Sequence, residues 1–510
     1  MSVKKITLLL VLIIILTLAF KLPAVLNTKS FWFDEIVSLK IAELSITDSW
    51  QFLKWENNPP AHYWMLHSWI KVFGSSEIAV RLSSVLFSIL SVIAIFFLGK
   101  KLFNSRVGLL ASFLMAISSF QLYLSMDGRM YQMILFFAIL SCYFFWQALE
   151  KPTKLNWFLY IIFSTLTLYT HLIGLFLIVS EGLYYLYRRF LLKNTRPKLS
   201  HALASNLVII LLFSPWLLGF IKRSLSVLNS GAWYLNTEAN GFLLLQVPKA
   251  FLLIGPDIPL IELASILLFS SLLFAAVAKV TAISLRKYNI KFNFSPQVVF
   301  LLSIFLAPIL FGFLIQLWVA KYYIFSSIGL YLLLSLGIYN LNLNKKKIIL
   351  VLVIIFLLLL PYNINIALTQ GQHQWHAVAN YVETSSEPDD QIIIPAFVYQ
   401  LPFEHYYKGD LEVVGYGPDW LDDNLLLNTV KYNWYPILEK DNMPDLSLIT
   451  ENKKRVIVVN SSVSEIIHNS NLVLDWFVEN NWPVVEKKQL YGFIRPTIYI
   501  FQNPNYTQVD

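Results

Sequence analysis

The sequence predicts a polytopic α-helical membrane protein of about eleven transmembrane helices with a C-terminal extracytoplasmic α/β domain. Three observations carry this expectation. Of 510 residues, 57% are hydrophobic and only 14% are charged, against about 25% charge in ordinary soluble domains. Mean hydropathy is +0.60. The formal charge of +8 is also unevenly spread: residues 363–510 hold 9 Lys+Arg against 19 Asp+Glu, and residues 1–362 hold 30 against 12. A water-soluble globule, a disordered chain and a disulfide-rich secreted scaffold are excluded. The basic balance is no sign of nucleic-acid binding. The positive excess belongs to loops at a membrane and the negative excess to a water-soluble tail. The single cysteine, Cys142, sits in an apolar run and has no disulfide partner.

Crossing a bilayer takes roughly 17–25 apolar residues. Such stretches are read near 6–26, 80–99, 107–125, 131–149, 155–170, 171–188, 202–221, 259–280, 296–318, 323–341 and 347–362. The first follows two lysines but has no small-residue cleavage site, so it reads as a retained anchor rather than a signal peptide. The fifth and sixth are the shortest. The positive-inside rule orients the set. If Lys4 and Lys5 are cytoplasmic, the alternate loops carry Lys100, Lys101 and Arg106; Lys151 and Lys154; Arg188, Arg189, Lys193, Arg196 and Lys198; Lys279, Arg286, Lys287 and Lys291; and Lys345 to Lys347. Among these basic residues stands one acid, Glu150. Eleven crossings place the C-terminus outside. The chain thus divides into a transmembrane domain, 1–362, and a soluble domain, 363–510. In the latter, Ile392–Ile394, Val456–Val459 and Thr497–Phe501 read as buried strands and 372–384 as a helix.

The outer face is where chemistry is expected. The loop 27–79 is too polar to span, yet it holds Trp32, Trp50, Trp55, Trp64 and Trp69. It reads as amphipathic helices along the interface, with 61–73 at helical spacing after Asn58-Pro59-Pro60. Within it, Asp34 and Glu35 follow Phe31-Trp32-Phe33. A carboxylate at an apolar interface is costly unless paired or used, and partial burial makes it a better proton acceptor. The residues alone leave two readings open: a catalytic base, or acids capping the first turn of a helix. A short second outer loop carries Asp127-Gly128-Arg129, readable as a local ion pair or as an anion site, since Arg offers a fixed fork of donors. Lys321-Tyr322 reads as an interfacial anchor or a further cation, and His171 as a structural or catalytic histidine. His373, His376 and His405 are too loosely placed to claim as metal ligands. No metal-ligand spacing and no Gly-rich phosphate loop are present.

An ordered series of motifs resembles a known family. It comprises Trp32-Phe33-Asp34-Glu35, Asn58-Pro59-Pro60, Leu66 to Gly74, Glu77 with Arg81-Leu82, Gly99 to Phe103, Asp127 to Tyr131, and Tyr169-Thr170-His171. The chain resembles the GT-C superfamily of polyprenyl-phosphate-sugar-dependent glycosyltransferases. The branch is that of protein O-mannosyltransferases, the lipid A aminoarabinose transferase and the Rgt-type lipopolysaccharide transferases. The likeness is strongest over about 27–190 and hardly visible in the tail.

The resemblance implies transfer of one sugar from a polyprenyl-phosphate carrier to an extracytoplasmic acceptor, in the plasma or inner membrane. It implies Asp34 as the base, with Glu35 supporting it or binding the acceptor. Arg129 and Lys321 would hold the carrier phosphate, and Asn58, His62, Asp127, Tyr131, His171 and Tyr322 would line the substrate sites. Two departures stand out. The second loop more commonly reads Glu-x-Arg, and the late Lys-Tyr is usually Arg-Tyr, so Lys321 keeps charge without bidentate geometry. An inverting displacement needs a base for a hydroxyl and cations for a departing phosphate, so no cofactor is required and a divalent metal is not indicated. The donor, the acceptor and the bilayer are the expected partners, with no nucleic acid. The rival from another class is a transporter or flippase of lipid-linked sugars, which would place charges in mid-span; Glu181 is the clear internal acid. An oligosaccharyltransferase is a nearer rival, but its Trp-Trp-Asp-Tyr-Gly signature is absent.

Overall fold

The computed structural model describes the chain except residues 54–57, 194–196, 231–242, 285–286, 293, 318, 370–372, 416–442, 444, 462–469, 491–494 and 507–510. Trp55, Arg196 and Arg286 therefore lie outside the described residues. There are two compact units. The first comprises Met1–Asn27, Asn57–Gly74 and Ile78–Leu368; the second comprises Thr28–Glu56, Ser75–Glu77 and Thr369–Asp510.

Helix α1 (Val3–Leu26) opens the first unit. Helices α2 (Phe33–Glu43) and α3 (Ile46–Leu53) belong to the second. Helix α4 (Ala61–Phe73) returns to the first, over the stretch expected to be helical. There follow α5 (Glu77–Leu102), α6 (Ser105–Ile117), α7 (Ser119–Ser125), α8 (Tyr131–Glu150), α9 (Lys154–Thr170) and α10 (Gly174–Leu186). Next come α11 (Leu199–Ser230), α12 (Leu243–Ala250) and α13 (Pro259–Val277). A hairpin of β1 (Ala278–Ser284) and β2 (Lys287–Phe292) precedes α14 (Pro296–Leu314), α15 (Ile324–Asn340) and α16 (Lys345–Thr369).

Each of the eleven apolar stretches holds a helix, although 259–280 runs into β1 and 296–318 extends beyond the end of α14. Among the described residues eight helices are long and apolar enough to cross a bilayer, or nine if α6 and α7 count as one span bent by 60°. The remaining two, α9 and α10, have 17 and 13 residues. The bend has a local cause. Ser118 Oγ accepts from Gln121 N–H and so caps α7, while Ser118 and Ser119 donate to the carbonyls of Phe251 and Leu252 at 2.9 Å each. Helix α15 is the most enclosed span, buried along 89% of its apolar window. A Cβ on Gly337 would collide with the Leu272 carbonyl of α13, and one on Gly329 with Leu301 of α14. Small residues thus let three backbones approach, as bundles in lipid require.

Among the ionisable side chains buried inside this bundle are Glu181 and Lys21. Glu181 of α10 is wholly buried and its Oε1 accepts from Ser141 Oγ at 3.0 Å. Lys21 of α1 is wholly buried too, donating to Ser88 Oγ at 2.6 Å and to the Gln121 carbonyl at 2.9 Å. Sequence reasoning picked out the first and passed over the second. Both are held by neighbouring helices, the arrangement buried ionisable groups need in hydrocarbon.

The second unit carries α17 (Trp375–Ser385), β3 (Gln391–Ile394), α18 (Phe397–Tyr406), β4 (Val413–Gly415), α19 (Leu446–Thr450), β5 (Arg455–Ser461), α20 (Asn471–Glu479), β6 (Val484–Gln489) and β7 (Pro496–Gln502). The sheet order is β4-β3-β5-β7-β6, with β3 parallel to β4 and β5, and β7 antiparallel to β5 and β6. Its core packs Ile393, Val456, Val458 and Phe501 of the sheet against Val473, Phe477 and Trp482. The three strands read as apolar runs are β3, β5 and β7. Edge strand β6 (Val484–Gln489) is exposed along its whole length, so it offered no such run.

Candidate active site

In the second unit, the acidic pair starts α2. Trp32 is the last extended residue, at φ −83° and ψ 161°. Glu35 stands third in the helix, and its Oε2 accepts from Trp32 N–H at 2.9 Å while Glu35 N–H donates to the Trp32 carbonyl at 3.0 Å. This is a helix cap built on the backbone, and it occupies the Glu35 carboxylate. Glu35 is only 2% exposed. Asp34, one residue earlier, is half-buried and also sits in the first turn. Glu35 thus takes the capping role, and Asp34 is the more accessible carboxylate.

Residues 373–406 hold the segment before this helix. Ser30 and His373 form a β-bridge, and His376 N–H donates to Ser30 Oγ at 2.9 Å. The Trp32 indole stacks on the His373 imidazole, centroids 4.8 Å apart, and meets Tyr399 edge-on at 6.3 Å. Tyr406 Oη accepts from Phe31 N–H at 2.7 Å and donates to Glu77 Oε1 at 2.7 Å. Phe31 is 1% exposed, so this hydroxyl satisfies a backbone donor that water does not reach. Tyr406 and Tyr399 went unremarked as site residues in the sequence, and His373 was weighed only as a metal ligand and set aside. The aromatic run Glu404-His405-Tyr406-Tyr407 was the one signal available.

In the first unit, the residues expected to bind substrate come together from four places. Tyr131 begins α8, His171 occupies the turn after α9, and Lys321 and Tyr322 lie in a 3₁₀ turn, Ala320–Tyr323. The Tyr131 and His171 rings are 6.0 Å apart, and His171 and Tyr322 are 5.5 Å apart. Lys321 Nζ sits 4.8 Å from the Tyr131 ring centroid, a cation–π contact. Ser84 Oγ donates to the Asp127 carbonyl at 2.7 Å, fixing the loop that presents Arg129. Arg129 itself is 7% exposed.

His62 of α4 is part of the same cluster. Burial pushes its imidazole down to about 3, and the Arg129 guanidinium adds to the shift. His171 is pushed to about 3 as well, by burial first and then by Arg129 and Lys321. The physical sense is consistent: burial disfavours the charged imidazole, and a neighbouring cation adds to the cost. The cluster brings together the Arg129 and Lys321 side chains, the His62 and His171 imidazoles and the Tyr131 and Tyr322 rings. That combination fits a monoanionic oxygen group. Asn58 is half-buried two residues before the Pro60 that precedes α4, and the Asp127 carbonyl accepts from Ser84 Oγ. Among the described residues no group of three or more His, Cys, Asp or Glu is placed to hold a metal ion.

Residues 57–218 match the family model described as dolichyl-phosphate-mannose-protein mannosyltransferase. The matched segment contains His62, Arg129, Tyr131 and His171; Asp34, Glu35 and Lys321 lie outside it. A search of curated proteins finds no match. Among solved structures, ArnT from Cupriavidus metallidurans in the apo state is similar at TM-score 0.61 and 12% identity, covering 98% of each chain. The same protein bound to undecaprenyl phosphate gives 0.59 at 12% identity with the same coverage. The Archaeoglobus fulgidus oligosaccharyltransferase, tethered to an acceptor peptide, gives 0.53 at 11% identity, covering 99% of this chain and 75% of that one. These likenesses extend along the chain, through the spanning helices and the C-terminal sheet alike. The chain thus shares the fold of these glycosyl-transfer proteins, and its segment 57–218 matches the mannosyltransferase family model.

Proposed function

We propose that this multi-pass membrane protein transfers a sugar from a polyprenyl-phosphate carrier to a hydroxyl acceptor on the extracytoplasmic side of the plasma or inner membrane. The observation that carries this reading is the cluster of Arg129 and Lys321 with His62 and His171, in which Arg129 and His62 are buried and Lys321 and His171 half-buried. Two cations set among apolar and aromatic side chains of a membrane-spanning unit suit a phosphate attached to a lipid. The ArnT structure with undecaprenyl phosphate and the matched mannosyltransferase model support the same class of donor.

The step balances with this chain's own side chains. Asp34 takes the proton of the acceptor hydroxyl. The acceptor oxygen forms a bond to the anomeric carbon from the face opposite the phosphate. The bond from that carbon to the phosphate oxygen breaks, and its electron pair leaves with the phosphate. Arg129 and Lys321 neutralise the charge that develops there. The anomeric configuration inverts. Glu35 holds the first turn of α2 and so orients Asp34.

Purified protein given polyprenyl phosphates that carry labelled mannose, glucose or aminoarabinose should release sugar from at least one of them. Deletion of the gene, followed by mass analysis of surface glycolipids, polymers and glycoproteins, should reveal the acceptor by its missing sugar. Movement of intact donor across vesicles without release of sugar would favour a flippase instead.

A further inference from the structure

At the end of the first unit that carries Lys5, Arg106 and Lys345, helices α1, α6, α13, α15 and α16 surround a cleft of about 1090 Å³. That volume lies just above the range of small-molecule sites, roughly 300–1,000 Å³. The walls are largely apolar, with Ile13 from α1, Phe113 from α6 and Leu352 from α16 among them. Lys5, Arg106 and Lys345 stand among the lining residues, and all three are exposed. No Asp or Glu lines the cleft. Nor do these three side chains form an ion pair among the described residues, although nearby Lys101 is paired with Glu150 at 2.7 Å.

We propose that this cleft binds one anionic phospholipid from the bilayer. Three uncompensated cations around an apolar interior form a surface complementary to one acidic head group on hydrocarbon chains. Free phosphate would leave the walls unfilled, and a zwitterionic lipid would answer the cations only in part. Basic residues beside a span gain from each anionic head group they meet. This site is separate from the cluster around Arg129, and no residue is shared between them.

The test uses the full chain, purified in detergent, stripped of lipid and offered dioleoyl phosphatidylglycerol or dioleoyl phosphatidylcholine. Native mass spectrometry should show one phosphatidylglycerol retained in preference to phosphatidylcholine. The variant Lys5→Gln/Arg106→Gln/Lys345→Gln should lose that retention by about 100-fold, near fivefold per cation. Lys151→Gln/Lys154→Gln, which removes two exposed lysines elsewhere in the same unit, should keep it. Equal retention of both lipids by the unaltered protein would overturn the proposal, and that arm does not depend on any variant folding. So would unchanged retention by the triple variant, or an equal loss in the double variant.

Discussion

Replacing Arg129 with Gln removes one fixed cation and keeps most of the side-chain volume. Arg offers a carrier phosphate two charge-assisted hydrogen bonds, each worth about 1.5–3 kcal/mol. Lys321 remains, so the lower end applies, and the net loss should be about 3 kcal/mol, roughly 150-fold in affinity. A second consequence follows from the histidines. Arg129 helps to hold His62 and His171 near 3. Without it both imidazoles relax upward. Burial is the larger cause for each and persists, so they stay below the ordinary 6.5. In the variant, protonation at low pH then restores part of the lost positive charge. Binding of undecaprenyl phosphate by the purified proteins should therefore differ most at pH 7.5, and the gap should narrow at pH 5.5. Equal affinity of variant and parent at pH 7.5 would refute the assignment of Arg129 to the phosphate.

Three further outcomes are expected. Tyr406→Phe leaves Phe31 N–H and Glu77 without their shared hydroxyl, a cost of about 2 kcal/mol; kcat should fall at unchanged donor affinity, and a fall in donor affinity alone would remove the link to Asp34. Glu35→Ala removes the cap on α2 and should destabilise the protein by about 1 kcal/mol, whereas Glu35→Gln can still accept from Trp32 N–H and should lower turnover by less than tenfold; thermal unfolding and initial rates decide this. The depressed His62 should make stability fall with acidity. Above pH 6.5 neither state binds the proton, and below it the unfolded chain does while the folded one does not. The loss from pH 8 to pH 5 should reach about 2 kcal/mol. His62→Gln should flatten the dependence of the melting temperature on pH, and an identical slope would place the effect elsewhere.

What could be read without coordinates follows from how local each signal is. Hydropathy depends on neighbours in sequence, so all eleven apolar stretches were visible. The 60° bend at Ser118 was not, because the carbonyls that hold it belong to Phe251 and Leu252, more than a hundred residues away. The helix over Ala61–Phe73 showed in its periodicity, but the burial of His62 beside Arg129 is a matter of tertiary contact. Sequence left Asp34 and Glu35 balanced between base and cap. Trp32 offers no Ser, Thr or Asp to announce a cap, and the hydrogen bond from its backbone to Glu35 appears only in three dimensions. The clasp by residues 373–406 was hidden for the same reason, since Tyr406 and Phe31 lie 375 positions apart. Lys21 was concealed by the hydrophobicity of the helix around it.

The role of Asp34 is open to one direct measurement: the rate of sugar release from a polyprenyl-phosphate donor by Asp34→Asn, with donor binding followed in the same preparation. A general base contributes roughly 10²–10⁴-fold. The amide should therefore slow release by at least about 100-fold, with donor affinity within a factor of two. Release at the parent rate would contradict proton transfer to Asp34 and with it the proposed reaction.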